Sequence, residues 1–232
     1  EVTTNETYFF REHRQLRALI DEIVPEVMSD QGTRGTGRPV SIWCAGCASG
    51  EEPYSIAIMA LQAGIEPDRD LRIYASDISK RMLRLARQGV YRNTSFRDTD
   101  DELRVRYFEE RDGRFKISDD VKKAVDFIHL NLLDRERYAL LRPMDVILCR
   151  NVIIYFDRET KRTVISNFEE KLRPGGHLLL GHSESLINLS SVLELRHLEN
   201  DMVYRKPLPG LASAGRGNAA AHEAVADAEA RR

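Results

Sequence analysis

The sequence predicts an α/β protein built on a mainly parallel sheet, with a small β insert and an antiparallel hairpin at its C-terminal edge. Three observations carry that reading. Short apolar runs of strand length alternate with longer segments whose apolar residues recur at helical spacing, the rhythm of right-handed crossovers that place helices on both faces of a sheet. A small-residue turn with two glycines, Ala45 to Gly50, joins the first such run to the helix that follows it. Finally, 232 residues with 42% apolar content and a net charge of -2 fit one globular domain, and a domain of that size removes roughly 70% of its unfolded surface from water.

Taken in order, residues 12–28 place Leu16, Leu19, Ile20, Ile23, Val24 and Val27 on one helical face, with Pro25 expected to end or kink that helix. Residues 31–39 read as a loop. Strands are expected at Val40 to Cys44, Leu71 to Ala75, Phe127 to Leu130, Asp145 to Cys149 and His177 to Leu180. Helices are expected at Glu51 to Ala63, Lys80 to Gln88 and Arg158 to Leu172, the last stopped by Pro174 to Gly176. The segment 89–126 is too long for a simple connection, and RYFEERDGRFKIS within it reads as a hairpin turning at Asp112-Gly113. Two strands around Glu199 to Asp201 make the edge hairpin. The domain plan is a segment and helix over 1–37, a main domain over 38–206 with its insert at about 90–126, and an Ala/Gly-rich tail or linker over 207–232. Because the chain starts at Glu1 without a methionine, it is expected to be cut from something longer.

Composition narrows the function classes. No run nears the ~18 apolar residues of a membrane span and no signal peptide opens the chain, and three cysteines in apolar surroundings suit a reducing cytosol. Cys44 and Cys47 form one C-x-x-C without a second pair, so both read as small loop fillers rather than zinc ligands. The 35 basic against 37 acidic residues, with no basic stripe, argue against nucleic acid.

The turn after the first strand, AGCASGEEPYS, lies where an open parallel sheet receives its ligand. It lacks the lysine of a phosphate-binding loop and the G-x-G-x-x-G of a dinucleotide site. Glu51 and Glu52 would repel a pyrophosphate, whereas S-adenosylmethionine (SAM) brings an ammonium, ribose hydroxyls, a sulfonium and no phosphate. The alternative is that both glutamates only complement a helix dipole, each worth ~0.3–1 kcal/mol. Asp77, ending the second strand, is placed to accept ribose hydroxyls or to cap the helix near Ser79. Asn131 and Leu132 follow the third strand, and Arg150, Asn151 and Tyr155 the fourth, polar groups at the ligand edge of apolar strands.

The segments TTNETYFFRE, AGCASGEEPYSIA, ASDIS, LNLLD, CRNVIIYFD and LRPGGHLLLGHSES occur in one order over about residues 3–205. Together they resemble the bacterial chemotaxis receptor methyltransferase family, CheR. The resemblance implies a Rossmann-like SAM-dependent methyltransferase fold and an enzyme that methyl-esterifies glutamates on the cytoplasmic helices of chemoreceptors, leaving S-adenosylhomocysteine. It puts Asn5, Thr7, Arg11, Glu51, Asp77, Asn131, Leu132, Arg150 and Asn151 around the cofactor, with Arg11 and Tyr155 flanking the transferring methyl. It implies no metal, a cytoplasmic location and contact with membranes only through receptors.

The chemistry agrees with the residues. A glutamate with a pKa near ~4.3 is ionised at pH 7 and needs no general base, so His182 in GHSES reads as a strand-end histidine bonded to backbone, and Cys149 as core. The resemblance implies a small helical domain ahead of the TTN segment, with a basic helix that meets the acidic receptor helices; in this sequence it is either missing or trimmed. Lys80, Arg81, Arg84 and Arg87 form a basic helix face that could share its work. The short EERDGR hairpin argues against binding a receptor-tail pentapeptide, and so for direct capture of the methylation region. Two other readings remain open at this level: a non-catalytic SAM-binding signalling module, and a methyltransferase acting on another protein or RNA.

Overall fold

A computed structural model describes residues 6–33, 37–199 and 201–209. Residues 1–5, 34–36, 200 and 210–232 lie outside them, and with them Asn5 and the expected tail. Helix α1 (His13–Ala18) passes through a π-helical turn (Leu19–Ile23) into α2 (Val24–Thr33). Pro25 therefore does not end the helix, and α2 runs on to Thr33, into the first residues of the stretch 31–39 expected as a loop. Proline removes one backbone donor and crowds the carbonyl four residues back. The wider π turn just ahead of it absorbs that misfit, and Leu16, Leu19, Ile20, Ile23 and Val24 all stay buried.

The chain then alternates through β1 (Val40–Ala45), α3 (Glu51–Gln62), β2 (Leu71–Asp77) and α4 (Lys80–Gln88). The insert follows as β3 (Val90–Tyr91), α5 (Asp101–Tyr107), β4 (Phe108–Arg111), β5 (Arg114–Ile117) and α6 (Asp119–Lys123). The main sheet resumes with β6 (Val125–His129), β7 (Met144–Cys149), α7 (Arg158–Lys171), β8 (Leu172–Leu180), β9 (Glu194–His197) and β10 (Met202–Arg205). Helix α7 stops at Lys171, ahead of Pro174 to Gly176 as expected, but β8 begins at Leu172 rather than His177 and takes that stretch in. The stretch lies opposite the register break between Met144 and Val146, where a bulge accommodates a residue that cannot donate to the ladder.

The seven-stranded sheet has the order β6-β2-β1-β7-β8-β10-β9. Strands β6, β2, β1, β7 and β8 run parallel, and the β10/β9 hairpin closes the edge antiparallel. The order reverses between β1 and β7, whose residues are buried throughout. Side-chain alternation along these strands feeds two cores: Ile42, Cys44, Val146 and Leu148 pack with Leu16, Ile20 and the α3 residues Ile56 and Ile58, while Trp43, Ile147 and Cys149 pack with Tyr138 and Phe168 on the other face. No described helix is long and apolar enough to cross a membrane.

The insert forms its own sheet, β3-β5-β4, turning at Asp112 (φ 51°) and Gly113 (φ 68°) as the hairpin signature predicts. Its aromatic side chains hold the N-terminal strap, residues 6–12. The Phe9 ring stacks on Phe96 with centroids 5.1 Å apart and meets Tyr91 and Phe108 edge-on at 4.8 and 4.9 Å. Phe9 N–H donates to Ser95 O, and Phe10 N–H to Ser55 Oγ. The strap thus crosses to the carboxyl ends of the strands on a cluster built partly from the insert. Phe9→Ala should lower unfolding free energy by roughly 3–5 kcal/mol, the usual cost of deleting a buried phenyl. A urea titration showing less than ~1 kcal/mol would mean that the strap is held elsewhere.

Candidate functional site

All five parallel strands end on one edge, and there a cleft of about 540 Å³ opens, within the size range of small-molecule sites. Its walls are Gly46 to Ala48 after β1, Asp77 to Ser79 after β2, Leu130 to Leu133 after β6, and Arg150 to Val152 with Tyr155 and Phe156 after β7. The strap supplies Glu6, Thr7, Tyr8 and Arg11.

Local rules explain each wall. A Cβ on Gly46 would lie 2.5 Å from Val152 Cγ2, at φ 86°, so glycine is needed where the β1 and β7 loops converge. Ala48 takes a left-handed conformation (φ 46°) and donates its N–H to Asp77 Oδ2 at 2.9 Å. Asp77 Oδ1 accepts the Ser79 N–H at 2.7 Å. Ser79, not Asp77, caps α4, its Oγ accepting from Met82 N–H. Asp77 therefore shapes the glycine loop and borders the cleft, with lone pairs beyond these two bonds. After β6, Asn131 Oδ1 accepts the Leu133 N–H, and Leu132 O accepts from Tyr138 Oη and Asn167 Nδ2.

Arg150 is the centre of the charge arrangement. Its side chain, 2% exposed, donates through Nη2 to Glu12 Oε2 at 2.9 Å and Arg11 O at 2.6 Å, and through Nη1 to Glu52 Oε2 at 3.1 Å. Burial pushes the Glu52 carboxyl above its usual range; the Arg150 charge and the Cys44 thiol pull it back, and Glu12 pushes it up again. Glu51 and Glu52 part company because consecutive helical residues point about 100° apart. Glu52 lines the cleft, whereas Glu51 is buried toward the insert, accepting from Ser49 Oγ at 2.7 Å and Ser95 Oγ at 3.1 Å. Desolvation raises the Glu51 pKa against these bonds.

The β7 loop turns at Asn151, in the left-handed region at φ 59°. Glu184 holds it: Oε2 accepts from Asn151 N–H (2.8 Å) and Gly181 N–H (2.9 Å), Oε1 from Val152 N–H (3.0 Å) and Ile154 N–H (3.2 Å). Tyr155, 53% exposed, stands at the mouth. His182 faces two carboxylates, Nδ1 3.7 Å from Glu12 and Nε2 3.6 Å from Asp201, in place of the backbone partner its strand-end position indicated. Burial lifts the thiols of Cys44, Cys47 and Cys149 well above the usual range, which keeps them protonated and poor nucleophiles.

Of the residues singled out from sequence, the structure brings Thr7, Arg11, Asp77, Asn131, Leu132, Arg150, Asn151 and Tyr155 to one cleft. It does not bring Glu51 there, and Asn5 falls outside the described residues. Sequence reasoning weighed Glu52 with Glu51 in the ligand turn but named only Glu51 as a cofactor contact, and it gave Glu12 and Glu184 no role. Glu52 was signalled by its place in the same helix start; Glu12 and Glu184 reach Arg150 and the β7 loop across the fold and leave no local pattern.

The family model for CheR methyltransferase, SAM binding domain, matches residues 5–201. Chemotaxis protein methyltransferase 2 of Vibrio cholerae serotype O1 is 38% identical over 211 residues, 90% of this chain and 72% of that protein. The chemotaxis protein methyltransferase of Vibrio parahaemolyticus serotype O3:K6 is 41% identical over 211 residues, 88% and 73% respectively. Among solved structures, TrmN from Thermus thermophilus aligns with a TM-score of 0.48 at 17% identity, covering 84% of this chain and 48% of that one, too distant to carry an argument.

The buried carboxyl of Glu51 gives a pH test. Its folded pKa is raised, so the native state keeps the proton to higher pH than the unfolded chain, and ionisation opposes folding. That penalty is absent below the unfolded value near ~4.3 and grows as pH rises through the folded one. Glu51→Gln should therefore gain stability relative to the parent between pH 4 and pH 7 in chemical denaturation, and a pH-independent difference would show that Glu51 titrates as a solvated group.

Proposed function

This chain belongs to the CheR methyltransferase family, whose SAM-binding domain it carries, and from that premise we propose that it methyl-esterifies glutamate side chains on the cytoplasmic helices of bacterial chemoreceptors. Its cofactor is SAM. The cleft suits that group: Asp77 offers a carboxylate beside the glycine loop, Arg150 can meet a carboxylate, and the acidic Glu52 favours a cationic ligand over a phosphate. Bound there, SAM supplies an activated methyl on a positive sulfonium. Thr7, Asp77, Asn131, Leu132, Arg150 and Asn151 are proposed to hold it.

The observation that carries the glutamate reading concerns the carboxylates lining the cleft. Among the described residues these are Glu6, Glu52 and Asp77, and each is engaged by protein donors: Glu6 by Arg97, Glu52 by Arg150, and Asp77 by the Ala48 and Ser79 amides. With its thiol pKa raised, Cys47 is no base either. A lysine or serine nucleophile would arrive protonated and need a base; a glutamate near pKa ~4.3 arrives ionised. The chain's own work is then to orient two reactants, a contribution worth up to ~7–11 kcal/mol when geometry is well matched.

Arg11 and Tyr155 are proposed for that role at the mouth. Arg11 Nη1 donates to Glu6 O at 2.8 Å, which leaves the other guanidinium N–H groups to align an incoming carboxylate. Exposed Ile78, Leu133 and Tyr155 line the cleft at its opening, a rim suited to a protein surface. Lys80, Arg81 and Arg84 are exposed on α4, beside Ser79 in the cleft wall, and suit an acidic helix, while Arg87 is tied to Phe127 O. The two-residue Asp112-Gly113 turn supports direct capture of the methylation region rather than a tail tether.

The decisive experiment transfers labelled methyl from SAM to membranes containing chemoreceptors and treats the product with alkali. Label entering a receptor and leaving as methanol identifies a carboxyl ester; alkali-stable label would overturn the glutamate assignment. Asp77→Ala should weaken SAM binding by about 1.5–3 kcal/mol, the scale of a charge-assisted hydrogen bond. Arg11→Ala and Tyr155→Phe should lower turnover more than SAM affinity; normal turnover in both would remove them from the reacting centre.

A further inference from the structure

We propose that Glu184 is a positioning residue for methyl transfer, acting through the β7 loop that carries Asn151 and Tyr155; the inference rests on the placement of those two residues in the proposed reaction. Four backbone amides converge on this one carboxylate, three of them, Asn151, Val152 and Ile154, from a loop that turns through a left-handed residue and has no ladder to serve them. Buried or half-buried amides need acceptors. Only an ionised carboxylate offers acceptor sites on both arms and no donor.

The clamp also fixes the loop against the end of β8. Gly181 shares Oε2 with Asn151, and a Cβ on Gly181 would come within 2.9 Å of Asn151 Nδ2 and 3.0 Å of its backbone nitrogen. On the opposite side Val152 packs against Gly46. The loop is thus held against Gly181 after β8 and against the glycine turn after β1, while Tyr155, closing a 3-10 turn over Ile153–Tyr155, lines the cleft at its mouth. Glu184 does not itself line the cleft but binds the backbone of two residues that do, Asn151 and Val152; its contribution is to set where Asn151 and Tyr155 stand.

Glu184→Gln keeps the shape but turns two N–H donors toward one pair of those amides. Amide hydrogen exchange over residues 150–156 should accelerate while the thermal midpoint and circular dichroism stay near those of the parent. SAM affinity, read by titration, should fall several-fold, and kcat on receptor membranes should fall roughly 10- to 100-fold, the scale of a small misplacement of reacting groups, with the receptor KM unchanged. Glu184→Asp, charged but one methylene shorter, should recover part of the exchange protection and of the rate, and it carries the test if Glu184→Gln does not fold. Unchanged exchange at Asn151, Val152 and Ile154, or faster exchange with unchanged kcat, overturns the proposal. Should the parent itself fail to methylate receptors, the glutamate reading fails on its own, and Glu184 is then judged on exchange and SAM affinity, where no change in either overturns it.

Discussion

The buried guanidinium of Arg150 is the interaction on which the rest of the site depends. It stands at the carboxyl end of β7, next to the strand-order reversal, and joins three separate stretches of chain: the strap through Arg11 O and Glu12, the start of α3 through Glu52, and its own strand. Taking such a charge out of water costs several kcal/mol, and two carboxylates plus a carbonyl offset that only while all are in place. Hence the arrangement specifies geometry more than it adds stability. Without the strap, Arg150 would face one carboxylate; without Arg150, Glu12 and Glu52 would repel one another across a desolvated wall.

That constraint explains why the insert matters to a cleft it does not line. The strap has positive φ at Phe10 and Glu12, a conformation non-glycine residues adopt only when the surroundings hold them there. Phe9, packed on Tyr91, Phe96 and Phe108, supplies one anchor, and Arg150 the other. The insert and the charge hub therefore grip the strap at its two ends, and Arg11 is delivered to the cleft between them.

Legibility in the sequence followed the range of the forces involved. The parallel strands, α4, the Asp112-Gly113 turn and the edge hairpin were readable because alternation and turn chemistry are local. The helix running on through Pro25 and the start of β8 at Leu172, ahead of Pro174–Gly176, were not, since a π-helical turn in one case and a register shift against β7 in the other accommodate the proline. In the site, strand-end polar residues gave themselves away by ending apolar runs. The choice between Glu51 and Glu52 needed the facing of α3 against the insert, and Ser95, which captures Glu51, lies in a segment whose fold composition alone does not fix.

The acidic turn after β1 now has a physical account. A phosphate loop spends its glycines and a lysine on a multiply charged anion, so a glutamate there would oppose binding. Here one glutamate is withdrawn beneath the insert and the other is half-compensated by Arg150, which leaves the wall mildly negative toward a sulfonium while still offering a guanidinium to a carboxylate. The same economy of charge suits the proposed nucleophile. A stronger cationic wall would hold an incoming glutamate in a tight ion pair and blunt it, whereas a cleft whose carboxylates are already engaged neither competes with the substrate for the methyl nor repels it with unpaired charge. Rate then depends on where groups stand, and standing is fixed by side chains that do not line the cleft: Phe9 under the strap, Glu12 on Arg150 and Glu184 on the β7 loop.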